Sequence, residues 1–301
     1  MLIYFVLCFY YFGVIMMMHF VNYPALSKIH EHIQPVMDIF NNRMTAGCYI
    51  PSILLVIAAA GLYLFSPEKF PRWAILASIV LTIISMITTF FFIAPIHADF
   101  STTGLSETIQ QKLLPLSFTF QIIPAALNGF IALLLLNSYV QNTRLVGKWL
   151  FIIIFALNFY TNGTNYVETV VNYSYWGSIG NKDWLAYRFS NGKFYATYLL
   201  PAYLPLLLIV AMFWLRSKAI PKSFILIFLL AEIWIFITTA IYFVPKIQIP
   251  LNDHFSLKLV EDLNRYDFIL RGSAECVLYI ITGWMFLKIG QEKMAEGTLK
   301  Q

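Results

Sequence analysis

Ser223-Phe-Ile-Leu-Ile-Phe-Leu-Leu-Ala-Glu-Ile-Trp-Ile-Phe-Ile-Thr-Thr-Ala-Ile-Tyr-Phe-Val244 runs for 22 residues with one formal charge, Glu232. Coiled at about 1.5 Å per residue it is about 33 Å long, which matches the hydrocarbon thickness of a bilayer. A barrel strand would be half that length and would alternate in polarity. Seven more stretches pass the same test: 2–20, 48–66, 73–94, 115–140, 149–171, 195–215 and 268–287. The predicted fold class is therefore all-α, a polytopic membrane protein with eight transmembrane helices. Pro51, Pro124, Pro201 and Pro205 fall in or at the ends of these spans, where neighbouring helices can satisfy the freed carbonyls. Residues 1–20 have no basic leader and no small-residue cleavage site, so they read as a retained first helix.

Composition points the same way. Hydrophobic residues make up 59% of the 301, charged ones only 12%, and mean hydropathy is +0.71. A water-soluble domain carries about twice that charged share. The net charge of +5 comes with no basic motif or basic-aromatic groove, so the expected partner is the lipid bilayer and not nucleic acid. Cys8, Cys48 and Cys276 lack any paired spacing and read as small buried hydrophobes. Gly-rich phosphate loops, a nucleophile elbow, a CxxCH haem site and a His-Glu-x-x-His pair are all missing from the sequence.

The connections alternate in length and charge. Segments 67–72, 141–148, 216–222 and the tail 288–301 hold 10 Lys and Arg in 35 residues. The longer segments 21–47, 95–114, 172–194 and 245–267 hold 9 in 93, with most of the acids. The positive-inside bias predicts both termini in the cytoplasm, and the expected location is a bacterial inner membrane. Within the long connections, Ile29, Ile33, Val36, Met37 and Phe40 recur at helical spacing, as do Leu259, Val260, Leu263 and Tyr266. Short amphipathic helices over the outer mouth of the bundle are expected there.

A shift of 150 residues brings the chain onto itself. It relates Val21-Asn22-Tyr23 to Val171-Asn172-Tyr173, Gly13 to Gly163, Pro51 to Pro201, Pro95 to Pro245, and Thr88-Thr89 to Thr238-Thr239. After about five inserted residues, Pro95-Ile-His-Ala-Asp-Phe-Ser101 pairs with Pro250-Leu-Asn-Asp-His-Phe-Ser256. One offset held across several helices predicts two parallel four-helix repeats, 1–145 and 146–301. Four spans per unit give both units the same orientation, unlike the inverted repeats of many transporters.

The run Asn22-Tyr23-Pro24, then Asn41-Asn42-Arg43, Pro51 before an aliphatic helix, and Pro95-Ile96-His97 resembles the anthrone-oxygenase-like four-helix membrane proteins. The second half resembles them through Pro250-Leu251-Asn252. The chain departs from that family in fusing two units, and His97 stands where the second half has Asn252. Some fungal relatives are associated with oxygenation of polycyclic anthrones without an evident metal or flavin. The resemblance therefore implies a membrane-embedded oxygenase or redox enzyme acting on a hydrophobic small molecule. It names no cofactor.

Two constellations could carry chemistry. In the second half, Glu232 sits mid-span, and Asp267, Arg271 and Glu275 lie four residues apart on one helix face. The shift of 150 sets neutral Thr82 against Glu232 and Met18 against Glu168. Asn158, Asn162, Asn165 and Asn172 form a stripe with Glu168 beside it, and Asn252 is placed with them as a substrate-binding candidate. Charges at membrane depth face a bundle interior, so these residues predict a polar pocket with Glu232, Arg271 and Glu275 as the catalytic candidates. The alternative is a buried ion pair and interhelical amide bonds that only hold the bundle. The second constellation is His30, His32 and His97, a possible metal site if the His-x-His segment is extended; outer-loop histidines without a ligand are the alternative. Three functions follow, in order: a redox enzyme or oxygenase, a small-molecule or lipid binding or transport protein, and a structural subunit of a membrane complex.

Overall fold

The computed structural model describes residues 1–65, 70–103, 107–140, 145–190 and 193–298. Every regular element among them is helical. Eight helices are long and apolar enough to cross a membrane: α1 (Leu2–Leu26), α2 (Ile33–Phe65), α3 (Arg72–Phe100), α4 (Gln110–Tyr139), α5 (Leu145–Ile179), α7 (Tyr195–Leu215), α8 (Lys222–Asp253) and α9 (Leu257–Gly290). The short α6 (Asn181–Phe189) links α5 to α7. Lys69, Arg144 and Lys300, part of the basic bias, lie outside the described residues.

Polarity in the bundle is reversed relative to a water-soluble protein. Ile57, Phe91, Leu207, Trp214 and Ile241 stand outward, more than half exposed, while Ser78, Thr82, Asn128, Asn158 and Glu232 are buried. In water such a surface would aggregate; in a bilayer it matches the solvent.

All eight spans carry one widened, π-helical turn: Met18–Asn22, Thr45–Tyr49, Thr89–Ile93, Phe118–Ile122, Tyr166–Asn172, Tyr195–Leu199, Thr239–Gln248 and Phe268–Gly272. Proline explains most of them. A proline cannot donate an N–H, and its ring crowds the preceding turn. Each widened turn runs from six to two residues before Pro24, Pro51, Pro95, Pro124 and Pro201. Pro245 and Pro250, five apart, join two such turns into Thr239–Gln248. The residue before each ring donates its N–H five residues back, Tyr23 to Met18 and Leu200 to Tyr195 for example. The extra residue in the turn takes up the register that the ring would otherwise break, and the helix continues. Pro115 and Pro205 are carried without one.

This continuity corrects one expectation. The amphipathic stretches of the long connections are not separate helices over the mouth. Residues 33–44 continue through Thr45–Tyr49 into α2, and residues 257–267 continue through Phe268–Gly272 into α9. Their apolar faces are buried as the spacing predicted, with Val36, Met37, Phe40, Val260 and Leu263 in the core. Phe40 packs edge-on to Tyr175 of α5 at 6.3 Å.

The centre of the molecule is the crossing of α1 and α5, and its contacts are reciprocal. A β-carbon on Gly13 would lie 2.0 Å from the Tyr160 carbonyl oxygen, and one on Gly163 would lie 2.0 Å from that of Tyr10. Only glycine lets the two backbones approach this closely. The Tyr10 hydroxyl donates to the Gly47 carbonyl at 2.9 Å, and the Tyr160 hydroxyl to the Thr197 carbonyl at 2.9 Å. Asn22 Nδ2 donates to Asn172 Oδ1 at 2.6 Å. Each of these relations joins positions 150 apart or maps onto its counterpart by that shift.

Candidate functional site

The first four spans hold a closed, neutral polar network. Tyr4 donates to Ser78 Oγ at 2.9 Å, and Ser78 in turn to Asn128. Asn128 donates to Thr82 Oγ1 at 3.1 Å, and Thr82 to the Ser78 carbonyl at 2.8 Å. Tyr11 and Ser85 hydroxyls bond at 2.7 Å. Ser117 donates to Gln121 at 2.8 Å, and Gln121 to Thr89 Oγ1 at 2.7 Å. These hydroxyls and amides partner one another, as buried polar groups must.

At +150 the same positions become Phe228, Glu232, Ile235, Asp267, Arg271 and Thr239. The Ser117–Gln121 bond has its counterpart in an Arg271–Asp267 ion pair on α9, both groups buried. Arg271 Nη2 also donates to the Tyr173 hydroxyl at 3.3 Å, and its guanidinium lies 4.2 Å over the Phe243 ring. Thr239 Oγ1 is buried without a hydrogen-bond partner among the described residues. Glu232, 4% exposed, makes no hydrogen bond or ion pair among the described residues. An unpartnered buried carboxyl costs several kcal/mol, roughly, and is rare without a role.

Between α5, α7, α8 and α9 these groups enclose a cavity of about 60 Å³. By volume it holds about four to six waters. Glu232, Thr239, Arg271 and Glu275 face it, with the rings of Tyr198, Tyr203 and Tyr279. Every lining residue belongs to the second half of the chain. Ala202, Tyr203 and Ile235 are only half-buried, beside Phe236 and Ile237, which stand outward.

The candidates do not all meet in one place. Glu232, Arg271, Glu275 and Asn158 line the cavity. Asn158 is also tied across to Thr282 Oγ1 at 2.8 Å, an interhelical bond. Asn165 stands behind the wall, donating to Glu275 and accepting from the Tyr198 hydroxyl at 2.7 Å, so it orients both. Glu168 and Asn172 belong to a separate cluster with Asn22 and Tyr175, in which Asn172 donates to Glu168 at 2.7 Å. Asn252 is separate again: it accepts from Arg188 Nε at 2.9 Å, and Asn162 does not line the cavity. Arg188 lies 4.7 Å over the Trp176 ring and also donates to Gln248; burial pulls its guanidinium down from the usual value. Asn162, Glu168, Asn172 and Asn252 thus lie outside the lining of this cavity. Spacing on one helix face did not reveal that the stripe spans three environments.

The histidine trio is corrected as well. Among the described residues no three His, Cys, Asp or Glu side chains converge as a metal requires. His30 and His32 are exposed, and the backbone N–H groups of His30 and Glu31 both donate to Asp183 at 2.7 Å. His97 is buried apart from them, its ring 5.6 Å from both Tyr23 and Phe40, and its Nε2 has no hydrogen-bond partner among the described residues.

Nothing local in the sequence marks Tyr198, Tyr203, Tyr279 or Thr239 as cavity residues. Tyrosines in apolar spans look like packing, and only the shift of 150 from Thr89 marks Thr239. In comparisons with known proteins, no family model, no curated protein and no solved structure matches the chain.

Proposed function

We propose that this integral membrane protein takes a small molecule from the bilayer into the cavity of its C-terminal four spans, where Glu232 meets it. The observation that carries this reading is the unpartnered Glu232 carboxyl facing a cavity, while its counterpart Thr82 is fully bonded. A carboxylate held in an apolar wall is suited to exchange a proton with a bound ligand. The half-buried wall at Ala202, Tyr203 and Ile235 supports entry from lipid between α7 and α8. Alternating access is less well supported, because such sites lie between repeats and this cavity draws on one unit alone. An oxygenase, as the family resemblance implies, is the second reading. It is favoured by the same carboxyl, placed to accept a proton from an acidic carbon of a hydrophobic substrate.

The test is native mass spectrometry and small-molecule profiling of gently solubilised protein, wild type against Glu232→Gln. A molecule retained by wild type and lost from a folded variant is expected. If both forms carry only bulk lipid, the pocket is not a site and a structural subunit is the better description.

The chain is also read as a tandem duplication, 1–145 and 146–301, with both termini on the cytoplasmic side of a bacterial inner membrane. The reciprocal Gly13/Gly163, Tyr10/Tyr160 and Asn22/Asn172 contacts support the duplication, as do widened turns that recur 150 residues on. In this reading the first unit is the bonded scaffold and the second holds the site. The orientation is tested with an impermeant thiol reagent: Lys182→Cys is labelled from outside intact cells and Lys218→Cys is not.

A further inference from the structure

Resting on the reading of the C-terminal cavity as a ligand site, we infer that its ligand is an organic cation, a lipophilic amine whose ammonium group enters the cavity while its chain stays in lipid. The charge of the wall leads to this class. Two carboxyl side chains, Glu232 and Glu275, line the cavity, and no lysine does. The one cation in the wall, Arg271, is held by Asp267 and Tyr173. Asn165 ties Glu275 through one amide group, and Glu232 makes no hydrogen bond or ion pair among the described residues. An anionic ligand would find no free positive group here. A neutral one could take only a hydrogen bond from Glu232, whereas an ammonium group can form an ion pair with it.

The aromatic side chains add a second, independent fit. Tyr198, Tyr203 and Tyr279 line the same space, and an aromatic ring face attracts a cation that comes near it. Thr239 Oγ1, a buried atom with no partner among the described residues, supplies an acceptor for an ammonium N–H. The first unit shows the contrast: there Thr82, Thr89 and Gln121 bond one another or their neighbours, and no carboxyl is present at these positions. Size agrees, since a cavity with room for a few waters admits an ammonium group and its first carbons. The half-buried wall at Tyr203 and Ile235 leaves the chain of the amine a way into lipid.

The experiment titrates solubilised full-length protein with decylamine, decanol and decanoate, three probes of equal chain length, by native mass spectrometry. Wild type is expected to bind decylamine at least about tenfold more tightly than either other probe, a difference of about 1.4 kcal/mol. Glu232→Gln should lose that preference, Tyr203→Leu should weaken it severalfold, and Thr82→Val in the first unit should leave it unchanged. Thermal unfolding of each variant separates lost binding from lost folding, and Tyr203→Leu serves as the test if Glu232→Gln does not fold. Equal binding of the three probes, or a preference untouched in folded Glu232→Gln and Tyr203→Leu, overturns the inference. Preferred binding of decanol or decanoate that depends on Glu232 overturns the cation but leaves the cavity as a site. Binding of no probe, together with no copurifying molecule, overturns both.

Discussion

Glu232 and Asp267 are both buried carboxyls, yet the structure gives them opposite consequences on removal. Asp267 pairs with Arg271, and deleting one partner of a buried ion pair strands the other at a cost of about 3–5 kcal/mol. Asp267→Ala should therefore lower the unfolding midpoint in detergent sharply. Glu232 has no partner to strand, so Glu232→Leu should leave stability unchanged or raise it by about 0.5–2 kcal/mol. A large loss in Glu232→Leu would mark the carboxyl as structural. At this scale the sequence was half legible. A lone charge in a 22-residue apolar run had to face the interior, and the spacing of Asp267 and Arg271 announced their pairing. It did not reveal which asparagines reach the cavity, because Asn162, Asn165 and Asn172 share a helix but meet different neighbours.

The elements themselves were the most readable part, since length and polarity fix a spanning helix almost alone. Their inner geometry was less so. A proline in a span signals local adjustment, but whether the helix breaks, kinks or widens depends on the bonds open to the preceding carbonyls. Here one solution recurs: a turn with one extra residue, which lets α2 and α9 run on into stretches that looked like separate helices. The widened turns of α5 and α9 exist with Ser174 and Ala274 where Pro24 and Pro124 stand in the first half. The ring is therefore not needed to hold such a turn in place. Pro51→Ala and Pro201→Ala should each change stability by less than about 1 kcal/mol, measured by thermal unfolding. A shift well beyond that would mean that the proline itself holds the turn.

For the whole molecule, the α1–α5 crossing joins the two halves and depends on two glycines. Gly13→Val and Gly163→Val each force side-chain atoms into a backbone carbonyl, and overpacking of this kind costs about 1–3 kcal/mol or more. Because the contacts are reciprocal, the two losses should be alike; one silent and one severe would contradict an equivalent crossing. Self-similarity in the sequence matched Gly13 with Gly163, but nothing in either segment says that the two glycines meet. The same comparison of halves carries the functional reading, in which one unit closes its polar groups on themselves and the other leaves Glu232 and Thr239 open. The most direct test is an experimental density map of the protein purified from its own membrane. Non-protein density against Glu232 and Thr239, between Tyr198, Tyr203 and Tyr279, with none beside Thr82 and Thr89, is the predicted result. A cavity closed by Glu232 bonding to Thr239 or to another side chain would contradict it.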